Sequence, residues 1–391
     1  MRGVLAGLIL MVLGMFMAVL IVEGAGRLNP NILPQRIQDA TGLVGTRGIG
    51  QFARDQATII TGDPYTGIHL KPDVHLFLRG HPDYSYHIDT TALGTTGTGI
   101  RGTPVTGRPF AVAVGDSHTF GAGSEIGDVW VTRLSGLLDE QVTNLGIPSA
   151  CSTQYTRMYE RYGVPLHPRV VIWEAYTGDL VENVWFDTWL RSGGGQFYDW
   201  HEWARKVATS GRLGWVASVK NWLNDHSITF DLMKLVVAGV GYHYHSPTMD
   251  IIFGAPFHLS MTDPVIARGW VLMQKAILDA DALASHEGAT LVVVYWPERE
   301  EVYAPLLRGK FLMKEDGLGV MQQNLRALTT AHGIHFLDMT PGLAGRGAAG
   351  EQLFFRQDGH FNRRGNEAIA KLITRYLVEQ HLAGATAAVS R

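Results

Sequence analysis

The sequence predicts an α/β protein built on a parallel, doubly wound sheet, and two observations predict it. Apolar runs rich in β-branched residues recur at 110–114, 141–148, 168–176, 290–295 and 334–338, with stretches of helical spacing between them. The first run also ends abruptly in Gly115-Asp116-Ser117, with further glycines at Gly121 and Gly123. That pattern reads as a buried strand feeding a tight turn, with a hydroxyl left at the strand's C-terminal end. In open α/β sheets that edge is where ligands and chemistry sit.

Taken in order, the chain begins with 20 residues, Gly3 to Val22, that carry no charge and no strongly polar group, flanked by Arg2 and Glu23. As a helix this run would span ~30 Å, the thickness of a bilayer core. It is longer than the roughly 7–15 apolar residues of a cleavable signal. Residues 1–26 are therefore expected to be an uncleaved transmembrane signal anchor, although Gly24-Ala25-Gly26 offers small residues for a cleavage. Positive charge at the Arg2 end predicts a cytoplasmic tip and an extracytoplasmic, periplasmic-side globular part. Residues 27–62 are mixed and Gly-rich and read as a linker. The globular domain is expected over 63–382, with residues 383–391 a tail.

Within that domain, residues 63–72 are turn-rich and fit a hairpin or edge strand, and 79–108 read as loops and short strands. Helical spacing follows the strand at 110–114, over 129–138 and again over 152–162. The strand at 168–176 ends in Thr177-Gly178-Asp179. The rhythm then breaks. A segment at about 184–262 holds Trp185, Trp189, Trp200, Trp203, Trp215 and Trp222 around Gly193-Gly-Gly195. It reads as a helical insertion that either covers the site, offers a contact surface, or simply fills its own core. Tyr242-His243-Tyr244-His245 holds two histidines at i, i+2, but no third ligand is evident in the sequence, so no metal is expected. Asp263-Pro264 opens a long helix with Thr262 as candidate N-cap, running to about His286. The strand at 290–295, the segment 297–303, a helix over 318–332 and the strand at 334–338 follow. Asp358 to Gly365 is a loop leading into a closing helix over 366–382.

Composition narrows the function. Hydrophobic residues make up 46% and charged residues 18%, and a net charge of −3 carries no nucleic-acid footprint. Cys151 is the only cysteine, so neither an intrachain disulfide nor a cysteine metal site is possible. No P-loop, dinucleotide glycine loop or haem-attachment motif occurs, so no cofactor is implied. A serine at a sheet edge becomes a nucleophile when a histidine takes its proton and an acid orients that histidine. Asp358-Gly359-His360 supplies such a pair.

Gly115-Asp116-Ser117-His-Thr-Phe-Gly121 and Asp358-Gly-His360-Phe-Asn-Arg-Arg-Gly365 together resemble the first and last blocks of the SGNH (GDSL-type) hydrolase superfamily. The resemblance covers roughly residues 60–382 outside the insertion. The Asp-x-His spacing is similar to that of membrane-anchored O-acetylation proteins of the alginate type. The resemblance implies a flavodoxin-like three-layer α/β/α sandwich, with Ser117 as nucleophile, His360 as general base and Asp358 as its partner. It also implies an oxyanion hole that begins with the Ser117 N–H. Ser149 stands where the family's second block has a donor glycine. Thr177-Gly178-Asp179 stands where the third has Gly-Asn-Asp, so Gly178 brings no side-chain amide, and Asn183 lies one turn further on. His118 sits where the family often has an aromatic residue.

Two functions follow. The first is a membrane-anchored extracytoplasmic esterase or O-acyltransferase whose partners are the bilayer and an acyl-ester substrate. The second is a catalytically weakened SGNH scaffold. It would serve as an accessory subunit of a membrane complex of respiratory or photosynthetic type, held through the N-terminal helix and the tryptophan-rich insertion.

Overall fold

The computed structural model describes residues 2–29, 32, 58–79, 81, 83–193, 215–216, 219, 222–223, 227–230, 242–253, 259–310 and 317–384. Helix α1 spans Arg2–Leu28. Among the described residues no helix is long and apolar enough to cross a membrane. Most of the expected linker, Trp200, Trp203 and nearly all of the expected tail lie outside the described residues.

β1 (Ile60–Asp63) and β2 (Gly67–Leu70) pair antiparallel. Asp63 tightens their turn, its Oδ1 accepting from the backbone N–H of Tyr65 and Thr66, each at 2.7 Å. β3 (His75–Leu78), β4 (Tyr86–Ala92) and β5 (Gly99–Arg101) form a three-stranded antiparallel sheet. The segment read as loops and short strands is therefore a small sheet that packs into the main core through Tyr86, Ile88 and Ile100.

The central sheet then begins. β6 (Ala111–Val114) leads into the short helix α2 (Ser117–Phe120), and α3 (Trp130–Leu138) returns the chain to β7 (Val142–Asn144). α4 (Ser152–Met158) runs on into a π-helical turn, Tyr159–Gly163, before β8 (Val170–Tyr176) and α5 (Asp179–Arg191). Next come the hairpin strands β9 (Tyr242–His245) and β10 (Asp250–Phe253), then α6 (Pro264–His286) and β11 (Thr290–Trp296). α7 (Arg299–Val302), α8 (Ala304–Leu307) and α9 (Val320–His332) lead to β12 (His335–Asp338), and α10 (Thr340–Ala348) and α11 (Arg363–Glu379) close the fold.

The sheet order is β12-β11-β8-β6-β7, with every neighbouring pair parallel. Counting these five strands in chain order gives 2-1-3-4-5 from the β7 edge, the flavodoxin-like arrangement. Alternation along the strands fixes the layers. Val112, Val114, Trp173 and Val293 face one core with α4, α5, α6 and α9, while Ala113, Ile172, Val292 and Trp296 face the other with α3, α10 and α11. Both faces are covered, so β6 and nearly all of β8 and β11 are apolar.

The structure corrects several expectations. α5 belongs to the main core, not to an insertion beginning at 184, because Leu180, Phe186 and Trp189 are all buried. It lies so close to α6 that a Cβ on Gly269 would come within 1.8 Å of the Leu180 carbonyl oxygen. The inserted segment is not purely helical either, since β9 and β10 form a hairpin with Met249, Ile251 and Phe253 buried in the second core. Asp263, not Thr262, caps α6; its Oδ1 accepts from Val265 N at 2.8 Å and Ile266 N at 3.2 Å, which places Pro264 at the first helical position. The closing helix starts three residues earlier than expected because the Asn362 side chain caps it.

One buried cation ties the small sheet to the turn after β6. Arg101 is 1% exposed. Its Nη1 donates to the carbonyls of Phe120 and Gly121 at 3.0 and 2.6 Å, and its Nη2 to those of His87 and Ser124 at 3.0 and 2.5 Å. Burial pushes this guanidinium down to about 10, still charged at neutral pH. Removing it strands four carbonyls around one void. Arg101→Met should cost roughly 3 kcal/mol or more, read as a lowered midpoint in thermal or urea unfolding.

Candidate active site

The order reversal between β6 and β8 opens a crevice at the carboxyl ends of those strands, and the candidate nucleophile sits there. Gly115 ends β6 where no side chain fits. A Cβ would lie 2.1 Å from Glu174 Oε2 and 2.2 Å from Thr119 Oγ1. Ser117 then opens α2, with Asp116 as N-cap accepting from His118 N at 2.6 Å. Gly121, in the left-handed region at φ 86°, stops the helix after a single turn. Asn144 steadies the turn by donating Nδ2–H to the Thr119 carbonyl at 2.9 Å.

The histidine arrives from the far end of the chain. Phe354 bridges Phe361, and Phe355 N donates to the His360 carbonyl at 3.1 Å, so residues 354–361 form a narrow return loop. His360 Nε2 lies 2.7 Å from Ser117 Oγ, although the two residues are 243 apart in sequence. Its Nδ1 lies 2.5 Å from Asp358 Oδ1, which also accepts from His360 N at 2.7 Å. The structure therefore brings Ser117, His360 and Asp358 into one hydrogen-bonded line.

The clasp that holds the acid escaped the sequence reading. Asp358 Oδ2 accepts from Tyr84 Oη at 3.1 Å and lies 3.4 Å from His81 Nε2. The rings of His81 and Tyr84 stack with centroids 4.0 Å apart. Asp83 Oδ2 accepts the backbone N–H of Gln357 at 2.7 Å and of Asp358 at 2.9 Å. From the opposite side Arg299 Nη1 donates to the Gln357 carbonyl at 3.0 Å. The only local sign in the sequence was three hydrogen-bonding side chains packed into residues 81–84.

Charge follows this geometry. Burial works to raise the Asp358 carboxyl, but His360 and His81 beside it outweigh burial and hold it well below the usual carboxylate range. For His360, burial opposes the imidazolium, yet the adjacent Asp358 charge and hydrogen bond prevail and raise it above the ordinary histidine value. His118 behaves differently. Burial pushes it down to about 4 against the pull of Asp116. It stays neutral beside His360, ring centroids 4.8 Å apart, and edge-on to Tyr176 at 4.9 Å. His118 thus keeps the ring character found at that position in the resembled family without adding a second cation.

Buried acids underlie the nucleophile, another feature the sequence reading missed. Glu174 accepts from Thr119 Oγ1, and Asp179 accepts from Ser152 Oγ at 2.6 Å and Tyr155 Oη at 3.0 Å. Burial first, and then the nearby Asp116, raises both carboxyls well above their ordinary values; Glu182 is pushed up to about 8 for the same reasons. These groups are held largely neutral, so they add little negative charge beneath a developing alkoxide.

The positions assigned to the oxyanion hole lie in the loops after β7 and β8. The first of these runs beside β6, with Leu145 N donating to the Ala113 carbonyl and Ile147 N to that of Gly115. Ser149 ends it at φ 68°, a conformation that favours glycine, as expected at a donor-glycine position. Gly178 caps α5 at φ −57°. Its neighbour Thr177 donates Oγ–H to Glu298 Oε1 at 2.5 Å, and Tyr176 donates to Oε2 at 3.1 Å; burial pushes Glu298 up to about 7. Asn183, buried on the first turns of α5, accepts through Oδ1 from Thr153 N and Oγ1, each at 2.9 Å, on the first turn of α4, while its Nδ2 is buried without a hydrogen-bond partner.

A family model described as the SGNH hydrolase-like domain of the acetyltransferase AlgX matches residues 272–390. No curated protein matches the chain. Among solved structures, a lipolytic protein of the G-D-S-L family from Desulfitobacterium hafniense is 12% identical. It covers 68% of this chain and 98% of its own, with a TM-score of 0.38. A mutant of Axe2, an acetyl-xylooligosaccharide esterase from Geobacillus, is 9% identical over 70% of this chain and 95% of its own, also at 0.38. TesA is 12% identical over 68% and 97%, again at 0.38. The matched segment carries β11, β12, Asp358 and His360, and over it the chain is similar to the SGNH hydrolase-like domain of the acetyltransferase AlgX.

Proposed function

We propose that the chain is a serine esterase or O-acyltransferase acting on small acyl esters, acetyl esters foremost, through Ser117, His360 and Asp358. The observation that carries this reading is the unbroken hydrogen-bonded line from Ser117 Oγ through the His360 ring to Asp358. His360 Nε2 takes the Ser117 proton as Oγ attacks the acyl carbonyl carbon. Asp358 holds the ring in the tautomer that leaves Nε2 free to accept, and stabilises the imidazolium that forms. The oxyanion is met by the N–H of Ser117 and, in this reading, by those of Ser149 and Gly178. His360 then returns the proton to the leaving alcohol. Water completes a hydrolysis, or an acceptor hydroxyl a transfer, by the same steps in reverse. The similarity to an acetyltransferase domain over residues 272–390 supports acetyl as the acyl group.

In the same proposal the uncharged run Gly3–Val22 is the membrane anchor, with the catalytic domain extracytoplasmic. One observation favours the scaffold reading: Gly178, at the third strand's edge, brings no side-chain amide. Serine labelling separates the two readings.

Ser117→Ala should abolish labelling by a fluorophosphonate probe and lower acetyl-ester turnover at least ~10³-fold. Full turnover by that variant sinks the proposal. Labelling needs neutral His360, so its rate should climb with pH through a midpoint above ~6.5. Asp358→Asn removes the charge that raises His360. Its midpoint should move to lower pH while the plateau rate drops roughly 10²–10⁴-fold; an unmoved midpoint would argue against Asp358 as the partner. Asp83→Ala, which frees only the backbone of the acid's turn, should cost about tenfold in kcat with little change in KM.

A further inference from the structure

The hairpin β9–β10 assembles a group of side chains that the sequence scatters. His243 and His245 stand at i, i+2 on β9 and so project from one face. Asp250, the first residue of β10, lies directly across from His245 in the antiparallel register. His243 Nε2 is 2.5 Å from Asp250 Oδ1, and His245 Nδ1 is 3.8 Å from the same oxygen. All three candidate ligand atoms fall within 4.8 Å of one another. The sequence showed two histidines without a third ligand, and the register supplies it.

We propose that His243, His245 and Asp250 form a surface site for a divalent transition metal, with Zn²⁺ the best match. Two imidazoles and one carboxylate are the ligand types that zinc takes, at about 2.0–2.2 Å each, with water completing a tetrahedron. Hard cations such as Mg²⁺ prefer an all-oxygen shell and are poorly served here. All three side chains are at least partly exposed, at 38%, 73% and 38%, so a metal can enter without unfolding the hairpin.

The surroundings support such a site. Arg356 Nε donates to Asp250 Oδ2 at 2.7 Å, leaving Oδ1 to face the histidines. Asp250 N donates to Gln352 Oε1 at 2.9 Å, and Ile252 N to the Arg356 carbonyl at 2.8 Å. The carboxylate is therefore oriented from behind, as an outer partner orients a metal ligand. Those outer partners belong to the segment that carries Asp358 and His360, so an occupied site would brace the catalytic loop from outside without touching the substrate.

The test is calorimetric titration of the full chain, purified in mild detergent, with Zn²⁺ and separately with Mg²⁺. The expected result is one Zn²⁺ per chain with no comparable Mg²⁺ binding, weakened at least tenfold by His243→Ala, His245→Gln or Asp250→Asn. His245→Gln alters the most exposed of the three side chains, and a circular dichroism spectrum and metal-free thermal unfolding matching the wild type show that this variant is folded. Absence of stoichiometric Zn²⁺ binding, or equal affinity in the wild type and the folded His245→Gln variant, overturns the site.

Discussion

A parallel sheet covered on both faces leaves only its strand ends for chemistry, and this constraint organises the protein. β6 and β8 are buried on both sides, so neither face can present a reactive group to solvent. The reversal of strand order between them separates the loops that follow and opens the crevice where Ser117 stands. Gly115 lets the chain turn against Glu174 at that point, and Asp116 spends its side chain on capping the turn. Position and conformation of the nucleophile thus follow from the sheet itself.

The acid needs more support than the nucleophile. An aspartate two residues before its histidine lies on a short loop with no secondary structure of its own to hold it. The protein answers with neighbours from both ends of the chain: His81, Asp83 and Tyr84 on one side and Arg299 on the other. His360 and, after it, His81 keep Asp358 charged against its burial, and that charge in turn keeps His360 basic. His81 thus serves both placement and charge.

Much of this was legible in the chain. Buried strands announce themselves as short β-branched runs, and the positions of all five central strands were read within a few residues. The Gly-Asp-Ser turn and the Asp-x-His loop were legible because a serine, histidine and aspartate in those settings are the residue types a serine nucleophile would need. The misreadings share a cause. Trp189 and Phe186 look like part of a tryptophan-rich insertion until α5 is seen packed against α6, because composition does not reveal which core a ring fills. Thr262 and Asp263 are both plausible caps, and only the backbone angle at Asp263 decides between them.

Local sequence by itself determined the central buried strands and the two motifs bearing Ser117 and His360, since these depend on periodicity and side-chain chemistry within a few residues. Tertiary structure alone decided that Ser117 meets His360, that His81 to Tyr84 clasp Asp358, that Arg101 joins the small sheet to the nucleophile turn, and that Asp250 joins two histidines across a hairpin. Each of those contacts links residues that chain connectivity leaves independent. Their partners are set by sheet order and register, which arise only when the whole apolar surface is buried at once.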